Sequence, residues 1–425
     1  MADDFITDDT KAIILLCGIL GKDRSVKPLT QGEYSALVRW LIKETMRPKD
    51  LLDHENIDLA ATGAGCDKER LTALLNRGVQ LGFAIEEWQR NGIWVISRSD
   101  NDYPRRYKTH LKEKAPPLLF GAGDRSLLLG GGVAIVGSRN VDTEGEEFTH
   151  KIAKLCVNNK MPIVSGGARG VDQIAMTTAL DTGGVTIGVL AENLLQKSIV
   201  RKTRQAIADG RMLLISPFHP NARFSVGTAM GRNKFIYALA DYALVVSAEY
   251  KKGGTWAGAE EELRRETSIT VFVRPGNNAP SGNHKLIDLG AIEWPEITFE
   301  SSLNQQLATI SSTHIQESKK KNLSLFDFQN QSSPQNEKQK KADKAVTCPT
   351  EPKLETSSNK TPAEAIFEAV LPVIINQIDE PITAQELSAR LEISKPQMNN
   401  WLKKAVSQGK ARKLSRPVRF CKIQD

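Results

Sequence analysis

The sequence predicts an α/β protein: a parallel sheet covered by helices on both faces, preceded by a helical domain and followed by a winged helix-turn-helix. Three observations carry that prediction. From Val133 to Trp294, short apolar runs alternate with helix-like stretches. Residues 1–90 repeat their leucines at helical spacing. Beyond 361, three short helical patterns end in a basic hairpin pattern.

The 425 residues suffice for two or three domains. We place boundaries at 1–90 (helical), 91–300 (sheet), 301–360 (linker) and 361–425 (winged helix-turn-helix). In the first, Leu37, Val38, Leu41 and Ile42 recur at helical spacing, as do Leu71, Leu74, Leu75 and Val79. A small bundle or a DNA-touching helix pair would both need such stripes. Trp94–Ser97 reads as a strand. In the second domain the strands are Val133–Val136, Pro162–Ser165, Thr186–Leu190, Met212–Ile215, Tyr242–Ser247 and Thr270–Val273. Helices are expected around 143–159, 171–181, 197–209, 232–239 and 256–266, the first opened by a Thr143–Glu146 capping box. The segment 301–360 is polar, with too few large apolar residues for a core, and reads as a disordered linker. In the last domain Ile366, Val370, Val373 and Ile374 mark a first helix. Capping boxes at Thr383–Glu386 and Ser394–Gln397 open two more, and ARKLSRPVRFCKI reads as the hairpin.

Composition narrows the function. Lys and Arg number 57 against 50 Asp and Glu, a net charge of +7, which favours polyanions weakly. The five cysteines (Cys17, Cys66, Cys156, Cys348, Cys421) form no C-x-x-C pair, so free thiols in a reducing compartment are expected rather than disulfides or a zinc site. The acidic start MADDFITDD is no signal peptide, and the apolar run Ala12–Leu20 is too short to span a bilayer. A cytoplasmic protein without membrane attachment is the expectation.

Three apolar strands each deliver a glycine-bearing loop with a cation: GVAIVGSRN (Arg139), MPIVSGGARGVD (Arg169) and YALVVSAEYKKGGTW (Lys252). Ligands of such sheets bind beyond the carboxyl ends of the strands. Free amides at a strand-to-helix turn accept anions. Ser138 and Ser165 are then hydroxyl donors to phosphate, although Gly166, Gly167 and Gly170 would serve tight turns equally well. In GRNKFI, Arg232 and Lys234 are placed where a helix begins. Arg232 there either meets phosphate or pairs with a carboxylate such as Asp241. Phe218, Phe224, Tyr250 and Trp256 are candidates to stack on bases, Trp256 foremost as an exposed platform beside the glycine pair. Neither a P-loop nor G-x-G-x-x-G occurs, and no catalytic residue, metal ligand or cofactor is assigned. Asp172 reads as a cap of the helix that follows it.

These motifs carry a resemblance. GVAIVGSRN, IVSGGARGVDQIA, GRNKFI and KKGGTWAGA, in this order, resemble the DprA family, also called Smf, bacterial DNA-processing proteins. NDYPRRYKTHLKEKAPPLLFGAGD is similar to that family's approach to its first strand, so the likeness covers most of 90–295. The chain departs from the pattern at AENLLQKSIV, at Arg-Asn-Lys and at Ser216-Pro-Phe-His219. The resemblance implies an extended Rossmann-like domain that binds single-stranded DNA, forms a homodimer and assists loading of RecA in DNA recombination or natural transformation. It carries Ser138, Arg139, Ser165, Gly166, Gly167, Arg232, Asn233, Lys234, Lys252, Gly253 and Gly254 into the DNA pocket. The rivals are a nucleotide sensor or phosphoribohydrolase-like enzyme, for which Gly253-Gly254-Thr255 with Glu260 or Glu261 would be the remnant motif, and a winged-helix transcription regulator.

Two further partners are suggested. Between Lys395 and Lys422 stand nine Lys and Arg and no acid, so Lys403, Lys404, Lys410, Arg412, Arg416 and Arg419 are candidates for duplex phosphates. Asn322-Leu323-Ser-Leu325-Phe326, in the polar segment, is close to the bacterial sliding-clamp peptide pattern.

Overall fold

A computed structural model describes residues 6–21, 26–298, 301–314, 362–378, 380–391, 395–415 and 418–422. These fall into two compact units, within Met1–Pro334 and within Gln335–Asp425.

The first unit opens with five helices, α1 (Asp8–Cys17), α2 (Gln31–Lys43), α3 (Glu55–Ala64), α4 (Lys68–Leu75) and α5 (Gly78–Arg90). Thr30 and Glu33 close a reciprocal capping box on α2. Leu37, Leu41, Leu71, Leu74 and Leu75 are buried as the stripes predict, but Ile42 and Val79 are 71% and 72% exposed. The apolar faces are thus narrower than the spacing suggests. Ile13, Leu16 and Trp88 share one core with Val95, Phe120 and Leu214 of the sheet.

The sheet has nine strands: β1 (Trp94–Ser97), β2 (Leu118–Ala122), β3 (Val133–Gly137), β4 (Ile163–Ser165), β5 (Thr186–Val189), β6 (Met212–Ser216), β7 (Tyr242–Ser247), β8 (Thr270–Val273) and β9 (Ile292–Glu293). Their order is β1-β2-β6-β5-β4-β3-β7-β8-β9. Pairing is parallel from β6 through β9, while β2 runs antiparallel to both β1 and β6. The fold is α/β, mostly parallel and Rossmann-like. Between the strands lie α6 (Arg105–Leu111), α7 (Thr143–Asn158), α8 (Val171–Asp181), α9 (Leu194–Ser198), α10 (Arg201–Ala208), α11 (Val226–Leu239), α12 (Gly253–Leu263) and α13 (Ser281–Asp288). Alternate strand residues feed two cores, as the period of two requires. Ala134, Val136, Val164 and Val245 pack with α6, α11, α12 and α13. Val133, Ile135, Ile163 and Leu244 pack with α7 and α8 on the opposite face.

Several expected bounds move. The helix expected over 197–209 is two helices, because Val200 is extended with ψ 130°. The helix expected from 232 starts at Val226, where Ser225 and Thr228 form a capping box. The helix expected from 256 starts at Gly253. The α7 cap is Asp142, whose carboxylate accepts the Gly145 amide, rather than Thr143. The polar segment expected from 301 begins with a helix, α14 (303–314), whose Leu303 and Leu307 are wholly buried against the sheet.

The second unit comprises α15 (Pro362–Asn376), α16 (Ala384–Arg390), α17 (Lys395–Ser407) and an antiparallel hairpin of β10 (Ala411–Ser415) with β11 (Val418–Lys422). Thr383 and Glu386 form the predicted capping box. Ile374, Leu387, Met398, Leu402 and Phe420 make its core, whereas Val373 is half exposed. Ser394, Arg416, Leu323, Leu325 and Phe326 lie outside the described residues.

Candidate nucleic-acid interface

Strands β4, β5 and β6 lie on one side of β3, and β7, β8 and β9 on the other. The chain therefore switches direction between β6 and β7, and a crevice opens beyond the carboxyl ends of β3 and β7. All three glycine loops reach that crevice. Gly137, the last residue of β3, ties them. Its carbonyl accepts the Thr255 hydroxyl of α12 at 3.0 Å, and a side chain on it would strike Val171 of α8. The Val171 amide donates to Ser138 O at 3.3 Å. Gly170 has φ +84°, and a Cβ there would lie 2.4 Å from Ser138 O, so only glycine brings the second loop against the first. Asn233 of α11 donates its amide to Gly254 O at 2.8 Å and holds the start of α12.

The exposed rim is cationic. Ser138 folds its loop: its hydroxyl accepts the Asn140 amide at 3.1 Å and donates to Asn140 O at 3.0 Å. Arg139 is exposed, with its guanidinium 5.7 Å from the ring centre of Phe224. Arg169 is exposed and donates to Asn140 Oδ1. Lys252 is exposed and stands 3.4 Å from Glu249. It precedes α12, whose first turn carries no side-chain cap. Gly253, at φ +71°, would hold a Cβ in open space. Uncapped amides, a helix dipole and a neighbouring ammonium make that terminus the most anion-ready point of the rim.

Four predicted contacts sit elsewhere. Ser165 is wholly buried and donates its hydroxyl to Ile135 O at 2.6 Å, so it staples β4 to β3 instead of donating outward. Trp256 is 4% exposed; its indole N–H donates to Glu260 at 3.0 Å and its ring packs edge-on against Tyr250. It is core, and of the four candidate stacking aromatics Phe224 and Tyr250 are the exposed ones. Lys234 is half-buried, near Glu261 and the Lys114 and Arg265 charges, and burial lowers its pKa. Arg232 lies mid-helix and is 6% exposed. Its Nη1 donates to Val189 O at 3.1 Å. Asp241, its expected partner, is taken by Arg106 at 2.6 Å and by the Gly132 amide.

Beneath the rim lies a charged layer that sequence reasoning missed. A Cβ on Gly166 would fall 1.4 Å from Arg232 Nη1, so the glycine leaves room for that guanidinium. Asp172, also buried, accepts the Gly166 amide at 3.1 Å, and the Ala168 and Gly137 amides also point to it. It ties two loops rather than capping its own helix. Burial raises its pKa, opposed chiefly by the Arg232 charge. The only sequence signal was the joint presence of Gly166, Asp172 and Arg232. Among the described residues no three His, Cys, Asp or Glu gather as a metal site.

The family model described as DNA recombination-mediator protein A matches residues 94–301. DNA processing protein DprA of Streptococcus pneumoniae is 33% identical over 183 residues, 42% of this chain and 63% of that one. Protein Smf of Synechocystis is 32% identical over 213 residues, 48% of this chain and 52% of its own length. The chain belongs to the DprA/Smf family. The X-ray structure of the Streptococcus pneumoniae DprA shares the fold, with a TM-score of 0.54 at 24% identity, covering 68% of this chain and 95% of that one. The stretch matching the DprA/Smf model ends short of the C-terminal unit.

Proposed function

We propose that this DprA/Smf member binds single-stranded DNA along the cationic rim, as a carrier of DNA rather than a catalyst. One observation carries the reading: Arg139, Lys252 and the uncapped start of α12 converge at the sheet's switch point. Phosphates would lie on those groups, and bases on Phe224 and Tyr250. The relatives' designation as DNA-processing proteins supports it. Non-catalysis is supported by how the remnant hydrolase residues are used: Thr255 donates to Gly137 O, and Glu260 accepts from Trp256 and Arg264.

Within this reading the protein acts in the cytoplasm on incoming or recombining DNA, as a homodimer that helps load RecA. No described helix is long and apolar enough to cross a membrane. The second unit is read as a winged helix-turn-helix, whose exposed Lys403, Lys404, Lys410, Arg412 and Arg419 are suited to duplex phosphates. The sliding-clamp peptide at Leu323, Leu325 and Phe326 remains part of the proposal.

The test is fluorescence anisotropy with unpaired oligonucleotides over a salt series. Log affinity should fall with a slope of about −0.7 per phosphate neutralised. Arg139→Ala with Lys252→Ala should weaken all sequences alike and flatten that slope. Unchanged binding at moderate salt would remove the rim from the site.

A further inference from the structure

A groove of about 740 Å³ starts at the first two glycine loops and runs between α7 and α8. On α8 it is lined by Gly170, Gln173, Ile174, Thr177, Thr178 and Asp181, one helical face over about three turns. At 1.5 Å per residue that face is about 16 Å long. Charge changes sign along it. Arg139 and Arg169 stand at the mouth, where Arg169 donates to Asn140 across the two loops. Amide and hydroxyl groups follow, and Asp181 closes the far end. Glu146 and His150 form the α7 wall, His150 Nδ1 lying 2.7 Å from Thr178 Oγ1.

We infer that this groove takes the base of a strand nucleotide whose phosphate sits on Arg139 and Arg169, and that it favours bases with an exocyclic amino group. The inference rests on the strand-binding reading of the loops. A phosphate is welcome at the cationic mouth only, because the two carboxylates further in repel it. A base is neutral. Glu146, Asp181 and the Gln173 carbonyl accept from an amino group, and cytosine and adenine offer one where thymine offers a carbonyl. The volume lies in the range of ordinary small-ligand sites. The same chemistry could come from a free nucleotide, so the experiment separates the two sources.

Affinities of the full chain for oligo-deoxycytidine and oligo-deoxythymidine are compared by anisotropy, for the parent and for Glu146→Ala, Gln173→Ala and Asp181→Ala combined. Losing carboxylates near a polyanion lifts both affinities, so the ratio is the readout. The parent should prefer cytosine about tenfold, the discrimination of one good base-edge pair, and the variant should bind both equally. A parent that binds both alike, or a variant that keeps the preference, overturns the groove while leaving the rim in place. Failure of the parent to bind either strand overturns the rim reading and the groove with it. Displacement of the strand by deoxycytidine monophosphate at micromolar concentration would make the free nucleotide the occupant and overturn the strand base; no displacement supports it.

Discussion

Replacing Arg232 by methionine removes a buried cation while keeping most of its volume. The guanidinium fills the space over Gly166, donates to Val189 O and faces the Asp172 charge. The variant loses a charged hydrogen bond to a buried carbonyl and leaves Asp172 without its main counter-charge. Together these should destabilise the first unit by about 2–4 kcal/mol near neutral pH. The pH dependence tests the coupling. Asp172 has a raised folded pKa, so its proton binds more tightly in the folded state. Its ionisation therefore costs stability as pH rises above the unfolded value of about 4 and through the folded pKa. Without Arg232 the folded pKa climbs further and the cost grows. The deficit of the variant against the parent should be smaller near pH 4 and widen toward pH 7. Tyr107 and Tyr237, also close to Arg232, are pushed far up by burial and stay protonated throughout. Urea denaturation at several pH values, with unchanged m, measures this. A deficit that is flat with pH would refute the coupling to Asp172, and one below about 1 kcal/mol would refute the buried hydrogen bond as well.

Further outcomes follow from Gly166 in the same layer and from the aromatic residues near the rim. Gly166→Ala drives a methyl into the Arg232 guanidinium and should cost about 1–3 kcal/mol as an overpacked site; Arg232→Met should relieve part of that, read by a double-mutant cycle in urea. Trp256→Phe should lower the melting temperature, through the lost bond to Glu260, yet leave oligonucleotide affinity within about twofold. Phe224→Ala and Tyr250→Ala should each weaken affinity, by about 1–3 kcal/mol per stacked base, with little change in stability. Affinity lost with Trp256 but kept without Phe224 would reverse the placement of bases.

How far the chain could be read differed by element. The run from Val133 to Val136 is apolar at every position because both faces of a parallel strand are covered, and such a run is visible in one dimension. The two-residue β9 was missed because it is short, and the antiparallel β2 because Pro116 and Pro117 precede it and Gly121 lies within it. The start of α11 was missed because Gly227 and Gly231 punctuate its first turns, and glycine in a sequence reads as turn or loop. Among site residues, Arg139, Arg169 and Lys252 were legible as cations beside glycine turns. Arg232 and Trp256 carried the same local signal, and their burial was not visible in it.

Residue type and spacing alone determined the alternation of strands and helices and the three loops at one end of the sheet, because periodicity is a local property of the backbone. Which of the loop residues face solvent was decided only in three dimensions. Arg139 and Arg232 are the same side chain; one stacks on an exposed ring at the rim, and the other is enclosed between α11 and the β4 loop. That difference comes from packing between segments far apart in the chain, and a buried charge is retained there because Asp172 and the Val189 carbonyl compensate it.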